Sequence, residues 1–288
     1  MFRASEFESN AKASMTSAML RRELSARSRH LAAERGLLHD LTTGITPSVI
    51  FGCDEAGQHG NFEPSSYQQI LANPTWQRRL MKVHTGSRKA MPRADWRWME
   101  LDCANSSDAL LMNIFCYPGV LEDGRVLSML GVDPGAEPEF GYAPRVPLLG
   151  GKRKPIFDRT EVDLRLGNLL IEAKLTETNF QQATPRLLER YRDFPEVFDV
   201  SELPWRDGIV QGYQLIRGTL AAHATETNFC VLSHARRHDL IEAWYAVLRA
   251  VHLPNLRWRL KLLTWQELAS VLPTGLQSFL SEKYGIVP

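Results

Sequence analysis

Between Arg159 and Leu175 the chain alternates twice. Val162, Leu164 and Leu166 are interleaved with Asp163 and Arg165, then Leu169, Ile171, Ala173 and Leu175 alternate again, and Gly167-Asn168 separates the two runs. Alternation with period two marks strands, and a glycine-asparagine pair between two such runs closes a hairpin. A two-residue turn sets Leu166 opposite Leu169, and counting back along both strands sets Asp163 opposite Glu172. Lys174 shares the face of these two acids, while the other face is aliphatic and suited to lie against a core.

Two carboxylates that face each other repel unless positive charge lies between them, and hard oxygen ligands of this kind suit a magnesium ion. A lysine two residues from one of them can orient a water or stabilise charge on a phosphate undergoing substitution. One reading of the spacing is therefore metal-assisted phosphodiester hydrolysis. The other is an amphipathic surface hairpin on which Glu161, Asp163, Arg165, Glu172 and Lys174 form cross-strand ion pairs.

An acid, a hairpin turn and then acid-x-Lys, here Asp163 followed by Glu172-Ala173-Lys174, resembles the PD-(D/E)xK nuclease superfamily, with Val162 where the family name has proline. Upstream, Trp96 and Trp98 lead into Ser106-Ser107-Asp108 and Asn113, a stretch similar to the bacterial restriction-endonuclease branch, in which glutamine stands at the place of Asp108. The resemblance runs in order from about Asp95 to Leu272. It implies an α/β fold with a restriction-endonuclease-like core, a small mixed central sheet flanked by helices, and an N-terminal helical region. The corresponding division is residues 1–94 as an extension and 95–288 as the nuclease-like domain.

The same resemblance implies a metal-dependent nuclease that hydrolyses DNA and leaves 5′-phosphate ends, as a restriction or defence-type endonuclease. Asp163, Glu172 and the backbone carbonyl of Ala173 would hold Mg2+, with Mn2+ as a substitute, and Lys174 would position the attacking water. Gln214, in Gln211-Gly-Tyr-Gln-Leu-Ile-Arg217, would support that water or the DNA. RecB-like members carry a tyrosine four residues after this glutamine; Gly218 stands there, so no role is borrowed from it. Asp108 is a candidate further acid or a helix cap, and Glu139 a further ligand or a solvent-facing strand residue. Implied partners are DNA, a second copy of the chain because cutting both strands needs two sites, and a further defence-system protein. The alternative function is a non-catalytic DNA-binding or scaffolding module that keeps the nuclease fold.

Charge as a whole does not argue for nucleic acid. Lys plus Arg number 34 against 33 Asp plus Glu, so a phosphate-binding surface must come from local clustering. The densest cluster is Lys152-Arg153-Lys154 with Arg145 and Arg159, immediately before the hairpin, and it is expected to hold backbone phosphate. Cys53, Cys103, Cys116 and Cys230 form no CxxC pair, so neither a zinc ribbon nor a disulfide framework is indicated, and a reducing cytoplasm fits. No apolar run is long enough for a membrane span. At 288 residues and 44% hydrophobic content the chain can bury a sizeable core.

Other elements follow from local pattern. Residues 5–39 read as one long helix or two shorter ones, ending near Gly36, with the basic run Arg21 to His30 either a contact to phosphate backbone or, the favoured reading, a solvated face carrying pairs such as Glu23 with Arg27. Residues 42–62 are glycine-rich and contain Cys53, Asp54 and His59, a trio whose spacing matches no metal-ligand pattern. Pro74 starts a basic helix to His84, before an exposed loop at Gly86 to Lys89. Ser106 or Ser107 caps a buried helix. A first core strand is expected at Glu139 to Tyr142, a helix at Thr184 to Phe194, an amphipathic helix from Asp207 through Leu220, and a buried strand at Thr227 to Ser233. His234 and His238, four apart, would share a helix face toward DNA or solvent; a helix from Asp239 to Val251, a strand from Trp258 to Thr264 and a helix to Leu272 complete the chain.

Overall fold

A computed structural model describes residues 15–43, 47–83, 99–150 and 154–288, which fall into two compact units. Lys152, Arg153, Trp96, Trp98, the loop Gly86 to Lys89 and the first fourteen residues lie outside the described residues.

One unit comprises Ser17–Phe140, Ala173–Thr176 and Trp265–Pro288. Helix α1 (Ser17–Arg35) buries Leu20, Leu24, Ser28, Leu31 and Ala32, a stripe recurring every three to four residues. Gly36, at φ 63, ends it in the left-handed conformation that glycine adopts at low cost, so the helix stops short of His39. A small antiparallel pair, β1 (His39–Leu41) with β2 (Val49–Phe51), comes next. Helices α2 (Pro64–Ala72) and α3 (Pro74–Arg79) follow, and the Asn73 side chain accepts from the Thr75 and Trp76 amides at 2.9 and 3.3 Å to start α3. Ser106 caps α4 (Ser107–Phe115), whose every residue from Asp108 to Phe115 is buried. Helix α5 (Gly124–Leu130) and the C-terminal helices Trp265–Ala269 and Thr274–Tyr284 complete this unit.

The other unit holds Gly141–Glu172 and Glu177–Thr264. Strands β3 (Pro138–Tyr142), β4 (Val146–Leu148), β5 (Ile156–Asp158), β6 (Val162–Leu166) and β7 (Leu169–Ala173) lead into it. After β8 (Gln182–Ala183), the expected helix from Thr184 to Phe194 is instead two single turns, α6 (Pro185–Leu188) and α7 (Phe194–Val197). The reason is visible in the backbone: the Arg190 carbonyl accepts from Leu149 and the Arg192 amide donates to Pro147, so at these residues the chain leaves the helix and pairs alongside β4. Pro195, in the first turn of α7, restarts the helix.

The helix expected from Asp207 does not begin there. Asp207 and Gly208 have φ 52 and 73, the conformation of a type I′ turn, and join β9 (Trp205–Arg206) to β10 (Ile209–Gln211). The Asp-Gly pair is a hairpin signal that outweighs the helical spacing of Ile209 and Val210. The helix, α8 (Tyr213–Thr225), begins after Gly212, and its first amides are satisfied by the carbonyls of Gln181 and Phe180. It packs on β4 and on β11 (Asn228–Ser233), and α9 (His238–Arg249) packs on α8 and on β12 (Leu260–Thr264).

The main sheet has the order β12-β11-β7-β6-β3, with β11 parallel to β12 and β6 antiparallel to β7. It is the mixed central sheet flanked by helices that the restriction-endonuclease-like reading expects. Strand β7 sits in its middle, and all five of its residues are buried. On one side Leu170, Phe229 and Val231 join the core formed by Leu215, Ile216 and Leu220 of α8 with Leu240, Trp244 and Val247 of α9.

Candidate active site

The hairpin forms in the expected register. Leu166 pairs with Leu169, Arg165 with Leu170 and Leu164 with Ile171; the same register continued by one step would set Asp163 opposite Glu172. Gly167 has φ 57 while Asn168 has no positive φ, the pattern of a type II′ turn, and the Asn168 carbonyl accepts from Asn228 at 2.7 Å, tying the turn to β11.

The charged face of the hairpin is not a solvated one. Glu172 is 5% exposed and Asp163 partly buried, because the hairpin supplies two inner strands of a five-stranded sheet. A surface hairpin would leave these side chains on an outer face, whereas Glu172 and Lys174 are buried. Burying a carboxylate costs several kcal/mol unless it is compensated, so a glutamate at the centre of a sheet is a costly residue to keep without a use for its charge. Ala173 ends β7, and Lys174 follows it, itself 5% exposed, with its carbonyl accepting from Trp265 Nε1 at 2.9 Å. Arg165, on the same face as the acids, lays its guanidinium 4.7 Å from the Tyr142 ring centre and donates to the Gly167 carbonyl.

Gln214 lies in the first turn of α8, half-buried. Gly218, one turn later, is buried against Phe229: a Cβ there would stand 2.6 and 2.7 Å from two atoms of the ring, so the helix approaches the sheet too closely for any side chain at this position. The tyrosine that RecB-like members carry has no room in this chain. Lys154 and Arg159 are exposed.

Asp108 is 4% exposed and pairs with Arg79 at 3.0 Å and Lys82 at 2.5 Å, which removes these two cations from the basic face expected of the Pro74 helix. Burial would lower the Lys82 ammonium, but the charge and hydrogen bond of Asp108 outweigh it and hold the pKa above its ordinary value. Glu139 is exposed on β3. Cys53 pairs with His59 through the backbone, and His59 Nε2 lies 3.1 Å from Asp102; among the described residues no three metal-ligating side chains form a cluster. His234 and His238 do not share a helix face. His234 is 1% exposed before α9 begins, its Nδ1 accepts from the Arg236 amide, and burial with Arg236 and Arg237 nearby pushes its pKa down to about 3.

One cluster escaped the sequence reading. Arg217, 4% exposed, donates from Nε to Asp158 at 2.8 Å, from Nη2 to the Thr160 carbonyl and from Nη1 to the Glu161 carbonyl, so α8 clamps the segment that enters β6. Asp158 also accepts from Tyr191 at 2.6 Å and from the Thr160 amide and hydroxyl at 2.7 and 2.6 Å. Burial alone would raise its carboxyl; these hydrogen bonds and Arg217 reverse that and bring it to about 2. Partners 59 and 33 residues apart leave no local spacing to read, and the only sequence signal was an arginine inside an apolar helix.

The mixed sheet with its helices and the central hairpin defines a restriction-endonuclease-like α/β protein. Over residues 41–285 the chain matches the family described as Restriction Endonuclease associating with ARP, and it belongs to that family. The match begins after α1. No curated protein and no solved structure matched the chain. No helix of the described residues is long and apolar enough to cross a membrane.

Proposed function

We propose that the chain is a metal-dependent endonuclease of the PD-(D/E)xK kind that hydrolyses DNA phosphodiester bonds. The observation that carries the proposal is Glu172, buried at the centre of the sheet, in register across from Asp163 and two residues before Lys174. Two carboxylates and the Ala173 carbonyl are an all-oxygen donor set, which fits Mg2+ or Mn2+ rather than zinc. Such an ion, when bound, would supply Lewis acidity for phosphodiester hydrolysis. Asp163 and Glu172 would hold the ion, Lys174 would orient the attacking water and offset charge at the phosphate, and Gln214 would support the water or the strand. Lys154, Arg159 and the adjoining Lys152 and Arg153 take backbone phosphates. A second copy of the chain would supply the second cut of a duplex, and ARP, which the family description names as an associate of the endonuclease, is the partner proposed for this chain.

The test is incubation of supercoiled plasmid and linear duplex with magnesium, manganese or chelator, beside Asp163→Ala and Lys174→Ala. Expected is metal-dependent cutting that falls by at least about a hundredfold in either variant while DNA binding by Lys174→Ala persists. Wild-type protein that binds DNA but cuts neither duplex nor single strands, with ARP present, would sink the enzymatic reading and leave a binding module.

A further inference from the structure

A pocket of about 410 Å³ opens beside the approach to β6, lined among others by Leu148, Ile156, Asp158, Arg159, Arg190 and Tyr213. Its charge is lopsided. Arg159 and Arg190 are exposed, and among the described residues neither guanidinium has an ion-pair or hydrogen-bond partner. Asp158, the acid of the lining, does not neutralise them: both its oxygens are occupied by Thr160, Tyr191 and Arg217, and the buried Arg217 already balances its charge. The rim therefore presents two unsatisfied, planar cations suited to phosphate oxygens.

The floor has a defined hydrogen-bond polarity. An ionised Asp158 only accepts, so Tyr191 must donate to it. The Tyr191 oxygen then accepts from Tyr213, 2.8 Å away, and the Tyr213 hydroxyl proton is consumed. What Tyr213 offers the pocket is lone pairs. Leu148, Ile156 and Leu187 supply apolar walls, and Ile156 is 48% exposed, an uncommon degree for a strand isoleucine.

We infer that this pocket is a nucleotide subsite: Arg159 and Arg190 hold phosphate, the base lies between the apolar walls, and an exocyclic amino group of adenine, cytosine or guanine donates to the Tyr213 oxygen. Thr160, in the lining, precedes Asp163 by three residues, so the subsite takes a nucleotide flanking the bond to be cut. This last step rests on the nuclease reading.

Binding is measured in chelator, without cleavage, by anisotropy of a labelled 15-nucleotide DNA at several salt concentrations, with free dAMP, dCMP and dTMP as competitors. Arg159→Ala/Arg190→Ala, both at exposed positions, is expected to weaken binding at least about tenfold at 0.1 M salt and to reduce the slope of log K against log salt by about 2. Tyr213→Phe should keep the slope and lose the preference for amino-bearing over thymine nucleotides beside the cleavage position. Competition by free dAMP at micromolar levels would assign the pocket to a free nucleotide in place of a strand and overturn the proposal in this form. Wild-type affinity and slope in the double variant, while Asp163→Ala abolishes cutting, would remove the subsite and leave the nuclease. Arginine-dependent binding in a protein that never cuts would keep the subsite and remove the nuclease.

Discussion

Gly218→Ala is the smallest change that probes how α8 is seated. Two terms oppose each other. Replacing glycine by alanine inside a helix favours the helix by about 1 kcal/mol. Against that, the new methyl would lie 2.6 and 2.7 Å from atoms of the Phe229 ring, well inside the contact distance of about 3.5–4 Å at which carbons attract. Phe229 is fully buried and packs 6.0 Å from Trp244, so the ring cannot swing away without disturbing α9. Overpacking of this kind costs roughly 1–3 kcal/mol, and contact with several ring atoms puts this position at or beyond the upper end. The net expectation is a loss of about 2 kcal/mol, a fall in Tm of roughly 4–8 °C at about 2–4 °C per kcal/mol. Differential scanning fluorimetry and urea titration read both. A double-mutant cycle with Phe229→Leu isolates the cause: the smaller residue should cost about 1 kcal/mol alone yet recover stability in the alanine background, a coupling above about 1 kcal/mol. An unchanged or higher Tm for Gly218→Ala, or additivity of the two changes, would refute the close approach.

Two further predictions concern buried basic groups. His234 stays neutral in the folded chain down to about pH 3, whereas an unfolded histidine protonates near 6.5. The unfolded state therefore binds the extra proton across this window, stability falls as pH drops below about 6.5, and the loss is about 1.4 kcal/mol per pH unit; His234→Phe or His234→Gln should flatten the acid limb of a Tm–pH plot, and an unaltered limb would exclude the assignment. Lys283 is fully buried, with Nζ donating to the Gly60 carbonyl at 3.0 Å and lying 4.2 Å from the Phe51 ring centre, and burial holds its pKa well below that of an exposed lysine. The unfolded chain binds that proton up to about pH 10.4, so this residue makes stability rise with pH between its folded value and about 10.4; Lys283→Met should raise Tm at pH 7 and abolish the rise, and a variant that keeps the wild-type alkaline slope would count against it.

What could be read from the chain depended on the range of the interaction. The hairpin was legible to the residue pair because alternation and a glycine turn are local, and the same holds for the Ser106 cap, for β11 and β12, and for the end of α1 at Gly36. The helix placed at Asp207 failed because apolar residues at 209, 210, 213 and 216 fit a helix, while Asp207-Gly208 specified a turn that carries the chain back as a strand. The helix placed across 184–194 failed for a different reason: it is interrupted where the Arg190 carbonyl and the Arg192 amide bond to Leu149 and Pro147, some forty residues earlier, which no window of the sequence contains. His234 and His238 have helical spacing, yet the helix starts at the second of them. At the candidate site, the facing of Asp163 and Glu172 could be counted from the turn. The burial of Glu172 could not, since it depends on β7 being the middle strand.

The two neighbours Arg217 and Gly218 show why the helix after the hairpin matters to the acids on it. They are successive residues, so their side-chain directions differ by about 100° around the helix axis. Gly218 meets β11 through Phe229, and Arg217 reaches the carbonyls of Thr160 and Glu161 just before β6. A helix held at two such directions can neither rotate nor slide without breaking one of them. Gln214 lies one turn before Gly218 and on its face, so the approach that removes room for a side chain at 218 also sets how near the first turn of α8 comes to the sheet. The clamp is separated from Asp163 by only two peptide bonds, from Glu161 across Val162. The same guanidinium balances Asp158, which fixes the donor order from Tyr213 through Tyr191. One arginine within an apolar helix thereby orients the strand that carries the first acid and the floor of the pocket beside it.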